Sequence, residues 1–171
     1  IHHIAIVAGG TLEYAMKKRI RKADYIIGVD RGAYWLLENH VTPDLAIGDF
    51  DSVSPRQLIL IEKEIAKVVK YPKEKDATDL ELAMDVACGL SPKIIELFGV
   101  IGSRMDHTWV GVQLLQNMKS HNILGLIVDI FNEISLLSGF VSLHKSQTYR
   151  YVSFFPFNNR ATITLTGFQY N

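Results

Sequence analysis

Two aspartate pairs carry the most chemical information in this chain: Asp49 and Asp51 in Gly48-Asp49-Phe50-Asp51-Ser52, and Asp76 and Asp79 in Asp76-Ala77-Thr78-Asp79. Each pair follows an apolar run and is bordered by residues suited to phosphate. Magnesium takes hard oxygen ligands and keeps part of its water, so one or two carboxylates plus substrate phosphates suffice to hold it. The pairs therefore predict a magnesium site for a polyphosphate, with Asp49, Asp51, Asp76 and Asp79 as its ligands. In extended backbone Asp49 and Asp51 share a side and can grip one cation. Gly-Asp and Asp-Ser also form ordinary turns, so a purely structural role stays open. Asp76 and Asp79 stand at a helix start, where carboxylates favour the dipole and cap free N–H groups whether or not a metal is bound.

The neighbours fit the same chemistry. Lys73 and Lys75 are either solvated charges or holders of phosphate oxygens beside the acids. Gly99-Val100-Ile101-Gly102-Ser103-Arg104 is a glycine-bearing loop with an arginine, suited to close phosphate approach and bidentate contact. Asp106 and His107 bind metal, orient substrate or cap the helix that follows, and Asp30 in Asp30-Arg31-Gly32 is equally open. His2, His3, His40, His121 and His144 show no ligand spacing. Trp35 and Trp109 read as core or interface anchors.

These residues need elements to position them. Apolar runs at 3–8, 25–29, 45–47, 68–71, 94–99 and 124–131 read as strands. Helical spacing falls between them, at Leu12–Ile20, Ala33–Asn39, after Pro55 with Ser54 as N-cap, at Leu80–Ala87 behind a Thr78/Glu81 capping box, and at Val110–Met118. Alternation of this kind predicts an α/β fold, a mostly parallel Rossmann-like sheet with helices on both faces. In such sheets ligands bind beyond the carboxyl ends of the strands. Gly9-Gly10, Asp30, Asp49/Asp51, Lys73 to Asp79 and Gly99 to His107 all follow strands and so converge on one rim. After about residue 121 no further helix is predicted. Ile134–Leu137, Tyr149–Phe154 and Ala161–Thr166 read as strands of a small all-β, sandwich-like domain. The expected division is an α/β domain over 1–130 and the β domain over 131–171.

Composition narrows the function classes. The chain has 171 residues with 18 Lys plus Arg against 18 Asp plus Glu, so the whole molecule does not advertise nucleic-acid or anionic-membrane binding, and neither is expected as a partner. The second segment is too short for a core of its own and is expected to pack on the first domain or on another subunit. No apolar run reaches the ~20 residues that span a bilayer. A single cysteine, Cys88, excludes a disulfide framework and a thiolate zinc cluster. With no basic leader, the expected setting is cytoplasmic.

Taken together, Asp30-Arg31-Gly32-Ala33, then Pro43-Asp44 with Gly48-Asp49-Phe50-Asp51-Ser52, then Lys75-Asp76-Ala77-Thr78-Asp79, then Gly102-Ser103-Arg104-Met105-Asp106-His107 resemble the ordered motifs of thiamine pyrophosphokinases. Tyr151–Pro156 and Thr166–Tyr170 resemble that family's small β domain. The resemblance implies a homodimeric enzyme that moves the terminal diphosphate of ATP to the hydroxyl of thiamine and releases AMP, with thiamine in a cleft between subunits. Asp30, Asp49, Asp51, Asp76 and Asp79 match its magnesium and catalytic positions, the catalytic ones being Asp51, Asp79 and Asp76. Asp30, Lys73, Lys75, Gly102, Ser103, Arg104, Asp106 and His107 fall on the ATP side. Ser103 stands where the family commonly has a second glycine. Family members continue past residue 171 through further strands of the thiamine pocket, so the β domain is expected to be incomplete at its C-terminus. Asp51 and Asp79 both remain candidates to deprotonate the alcohol. Other readings are transfer to another alcohol such as a hydroxymethylpterin, a non-catalytic nucleotide-binding protein, and an Asp-x-Asp glycosyltransferase.

Overall fold

The computed structural model describes residues 1–74 and 76–169; Lys75, Tyr170 and Asn171 lie outside it. Seven strands form one sheet: β1 (His3–Val7), β2 (Tyr25–Val29), β3 (Leu45–Gly48), β4 (Val68–Lys70), β5 (Ile94–Phe98), β6 (Leu124–Val128) and β7 (Glu133–Ser135). Their order is β4-β3-β2-β1-β5-β6-β7. All pairings are parallel except that of β7, which runs antiparallel on β6 at the edge.

Burial on both faces explains why these strands are almost continuously apolar. One face, with Ile4, Ile6, Ile27, Ile95 and Leu97, is covered by α4 (Asp79–Gly89) and α5 (Met105–Ser120) through Met84, Leu114 and Met118. The other face carries Ala5, Val7, Ile26 and Phe98 under a 3₁₀ turn (Tyr14–Met16), α1 (Lys17–Ile20) and α2 (Arg31–Glu38). On this same face α3 (Pro55–Glu64) sets Ile61 against Ala46 and Phe50. The single helix expected over Leu12–Ile20 is thus one 3₁₀ turn followed by one α-helical turn. Ser54 and Gln57 close a capping box on α3, with Pro55 in its first turn; Thr78 and Glu81 do the same on α4.

One charged group breaks the apolar pattern. Glu96, in the middle of β5, is buried beneath α1. Its Oε1 accepts from Arg19 Nε (2.8 Å) and Nη2 (2.6 Å), while Arg19 Nη1 reaches Glu133 Oε2 at 2.7 Å. Burial opposes the guanidinium charge, and the bonds to Glu96 and Glu133 outweigh that opposition and raise its pKa. His3 Nε2 lies 3.2 Å from the second Glu96 oxygen. One arginine therefore ties the sheet centre, the first short helix and the edge strand together.

The chain divides into two units, 1–137 and 138–171. In the second, Phe154 and Phe168 stack edge to face at 5.8 Å, but the described residues form no strand and are mostly exposed. The strands expected at Tyr149–Phe154 and Ala161–Thr166 are absent, and of the one expected at Ile134–Leu137 only β7 forms. An alternating sequence becomes a strand only when a neighbour completes its ladder and covers its apolar face. β7 has β6 beside it; residues 149–154 and 161–166 have no such neighbour among the described residues.

Arg19→Ala leaves Glu96 buried and uncompensated, and is expected to cost about 2–3 kcal/mol in urea unfolding with the m-value unchanged. Replacing both residues by methionine is expected to recover most of that loss.

Candidate functional site

The chain runs outward from β1 through β2 and β3 to β4, then crosses back to place β5 on the other side of β1. That reversal makes β1/β5 the switch point, where loops splay apart and ligands enter. Here the two loops are zipped: Ala8 N–H donates to Phe98 O (2.8 Å), Gly10 N–H to Gly99 O (2.7 Å) and Thr11 N–H to Ile101 O (2.9 Å). A side chain on Gly10 would run into the Gly99 carbonyl, so the contact requires glycine.

The carboxylates gather on the β2–β3 side of this rim. Asp30 ends β2 at φ 47° and ψ −120°, a conformation costly for any residue but glycine and characteristic of sites where surrounding structure enforces it. Its Oδ1 accepts the Phe50 N–H at 2.9 Å. Gly48 makes that approach possible, because a Cβ there would occupy the position of the Asp30 carboxylate. Phe50, also at positive φ (58°), is buried against Ala33, Ala46 and Ile61. An apolar anchor between two acids thereby fixes the loop that carries them. Asp49 Oδ1 accepts the Asp51 N–H at 3.0 Å. Asp79 is the first residue of α4, whose cap is made by Thr78 and Glu81.

One carboxylate oxygen each from Asp30, Asp49 and Asp79 lies within 4.8 Å of the other two, all three residues being half-buried. Burial first, then the charges of Asp79 and Asp49, push the Asp30 carboxyl up to about 7, against the opposing pull of the Phe50 N–H. Three hard oxygen donors this close and partly withdrawn from water fit a small divalent cation.

The other expected site residues are placed differently. Asp51 Oδ2 pairs with Lys73 Nζ at 2.7 Å on the exposed side of the loop, which raises the lysine pKa. Asp76 is exposed, in the segment between β4 and α4, and is not one of the trio. Lys75, expected to hold phosphate, is outside the described residues. Gly102 and Ser103 lie in the loop after β5, with Gly102 against Gly10. Arg104 is the N-cap position of α5, and Asp106 and His107 fall in its first turn. Arg104 grips Asp106 with Nε–Oδ1 at 3.2 Å and Nη2–Oδ2 at 2.5 Å; the pairing raises the arginine pKa and lowers that of the aspartate. Gly48 and Phe50 were not among the expected site residues. Their signal is the Gly-Asp-Phe-Asp order itself, in which a bulky apolar residue between two acids calls for a reason.

Residues 16–126 match the family model described as "Thiamin pyrophosphokinase, catalytic domain". The chain is 40% identical over 146 residues to the thiamine pyrophosphokinase of Bacillus subtilis strain 168, covering 84% of this chain and 68% of that protein. The crystal structure of the Bacillus subtilis enzyme superposes with a TM-score of 0.68 at 37% identity, over 78% of this chain and 63% of that one. A thiamin pyrophosphokinase structure from Geobacillus thermodenitrificans gives 0.65 at 34%, over 78% of this chain and 62% of that one. The chain thus spans somewhat under two thirds of these solved relatives.

An unfolded aspartate loses its proton near pH ~4, whereas folded Asp30 keeps it to about 7. In metal-free protein this group's contribution to stability therefore falls as pH rises from ~4 to ~7 and is constant above that. Asp30→Asn, whose amide oxygen can still accept from Phe50, is expected to match the parent near pH ~4 and to melt ~4 °C higher at pH ~8 in chelator. Magnesium at pH ~8 is expected to raise the parent's Tm and to leave the variant's nearly unchanged.

Proposed function

The chain belongs to the thiamin pyrophosphokinase family, and from that membership we propose that it transfers the terminal diphosphate of ATP to the hydroxyl of thiamine, giving thiamine diphosphate and AMP. The observation that carries this reading is the Asp30–Asp49–Asp79 trio at the rim of the parallel sheet. Those three residues would hold magnesium, which when bound neutralises polyphosphate charge and lowers the cost of an in-line displacement.

The chain's own residues account for the remaining steps. Lys73 and Arg104 are each paired with a neighbouring carboxylate, Asp51 and Asp106. Phosphate oxygens replace those partners when the nucleotide binds, and the same cations then stabilise charge on the transferring group. Exchange of Lys73 onto phosphate releases Asp51, which accepts the proton of the thiamine hydroxyl. The hydroxyl oxygen forms a bond to the β-phosphorus while the bond from that phosphorus to the α–β bridging oxygen breaks. AMP leaves with the bridging oxygen. Asp79 serves the cation, Asp76 approaches the polyphosphate from the exposed segment, and Gly102, Ser103, Asp106 and His107 shape the nucleotide side.

Residues 138–171 belong to the same proposal as a thiamine-binding segment that acts together with a second subunit of a homodimer. The setting proposed is cytoplasmic, where ATP and magnesium are supplied together. No helix among the described residues is long and apolar enough to cross a membrane.

With ATP, magnesium and thiamine, equal amounts of AMP and thiamine diphosphate are expected, and neither without thiamine. AMP formed only with a hydroxymethylpterin would reassign the acceptor, and saturable ATP binding without AMP would leave a nucleotide-binding protein. Asp51→Asn is expected to lower kcat by at least about 100-fold while Tm and the magnesium requirement stay as in the parent. Full activity in that variant would remove Asp51 from the chemistry.

A further inference from the structure

The zero net charge of the chain conceals a local imbalance. Lys17-Lys18-Arg19-Ile20-Arg21-Lys22 places five cations in six residues, on and just after α1. Arg19 is consumed by Glu96 and Glu133. Lys18, Arg21 and Lys22 are exposed and Lys17 is half-exposed. An open groove of about 490 Å³ is lined by Tyr14, Ala15, Lys17, Lys18 and Arg21, with no carboxylate in its walls among the described residues. Tyr14 is 69% exposed, and Lys17 Nζ sits 5.1 Å from the centre of its ring. Arg21 Nη2 donates to the His40 carbonyl at 3.1 Å, which steadies the far wall. None of these residues belongs to the carboxylate trio.

We infer that this groove is a second, metal-independent nucleotide-binding surface, stacking a base on Tyr14 and seating phosphates on Lys17, Lys18 and Arg21. Three cations without a lining acid attract phosphate, and the largely exposed ring of Tyr14 beside them is met, among the described residues, by Lys17. A π-face next to cations is the combination by which proteins hold single-stranded nucleic acid, because every base can stack and every phosphate is anionic. A lipid surface would use the cations but has no use for the ring. The nucleotide can be free or part of a strand, since the contacts are the same.

The test measures binding of a fluorescent oligoadenylate of about 12 nucleotides, within the site sizes of single-strand binders, to the full chain in chelator. The parent is expected to bind, with affinity falling as salt rises. Lys17→Ala/Lys18→Ala is expected to weaken binding about tenfold or more and to flatten the salt slope by ~1–1.5. Tyr14→Ala is expected to weaken it at least about fivefold. Lys17→Arg/Lys18→Arg and Asp49→Asn are expected to bind as the parent does. Free AMP that competes at concentrations comparable to the oligonucleotide's identifies the free nucleotide as the source, and AMP that competes only in large excess identifies the strand; both support the surface. Four results would overturn it: no binding by the parent, indifference to the lysine pair, indifference to Tyr14 (a bare polyanion patch), or loss of binding in Asp49→Asn. Binding to phosphatidylserine vesicles with no binding to the strand would also overturn it, in favour of a membrane surface. Tm values equal to the parent's show that the variants are folded, and Lys18→Glu alone, at an exposed position, provides a second probe of the same wall.

Discussion

Three carboxylates whose oxygens come within 4.8 Å of one another set the terms for the rest of this structure. Such a group is costly to bury, and the raised pKa of Asp30 is the mark of that burial first and of the neighbouring charges of Asp79 and Asp49 second. It persists because each member is fixed by something it does not control. Asp30 is held at the end of β2 by the parallel ladder and by the Phe50 N–H. Asp49 is carried by a loop whose apolar residue is sunk in the core beside α2 and α3. Asp79 rides on a helix capped by its own Thr78 and Glu81, and that helix packs beneath β1, β2 and β3. Strain at Asp30 and Phe50, each of order 1–3 kcal/mol in such conformations, is sustained by burial elsewhere.

A parallel sheet suits this arrangement because it brings the carboxyl ends of adjacent strands to one edge without further design. Acids end β2 and β3, a helix bearing the third acid follows β4, and the glycine-bearing loop follows β5. Of the three cations expected on the phosphate side, Lys73 and Arg104 are each paired with a carboxylate, Asp51 and Asp106. On the face opposite α4 and α5 a different electrostatic device, Arg19 between Glu96 and Glu133, secures β7 against the sheet. Burying that glutamate within β5 is tolerable only because the arginine is oriented by both acids.

Much of this was legible in the residues. The apolar runs marked six of the seven strands because double burial erases alternation, and Ser54-Pro55 and Thr78-x-x-Glu81 marked helix starts through capping chemistry. The rim followed from those elements alone. The arrangement of the acids was less legible. Spacing set Asp49 and Asp51 on one side of an extended strand, but Phe50 sits at φ 58°, and the chain turns where extension was assumed. Asp30 stands about twenty residues before Asp49, and only the parallel pairing of β2 with β3 brings them together. Glu96 is one polar residue in an apolar strand, and its partner lies 77 residues away. Residues 149–154 and 161–166 show why alternation alone does not make a strand: the pattern is present, and among the described residues the neighbouring ladder is not.

The most direct test of the central claim is Mn²⁺ binding, counted by electron paramagnetic resonance at pH ~8, for the parent, Asp49→Asn and Asp79→Asn. An ion held by oxygen ligands from both residues predicts one tight site in the parent and its loss in each variant, since removing one carboxylate from such a set removes charge and donor together. Equal binding in all three proteins would contradict the account, leaving the trio a strained structural feature of the rim and the cation site elsewhere.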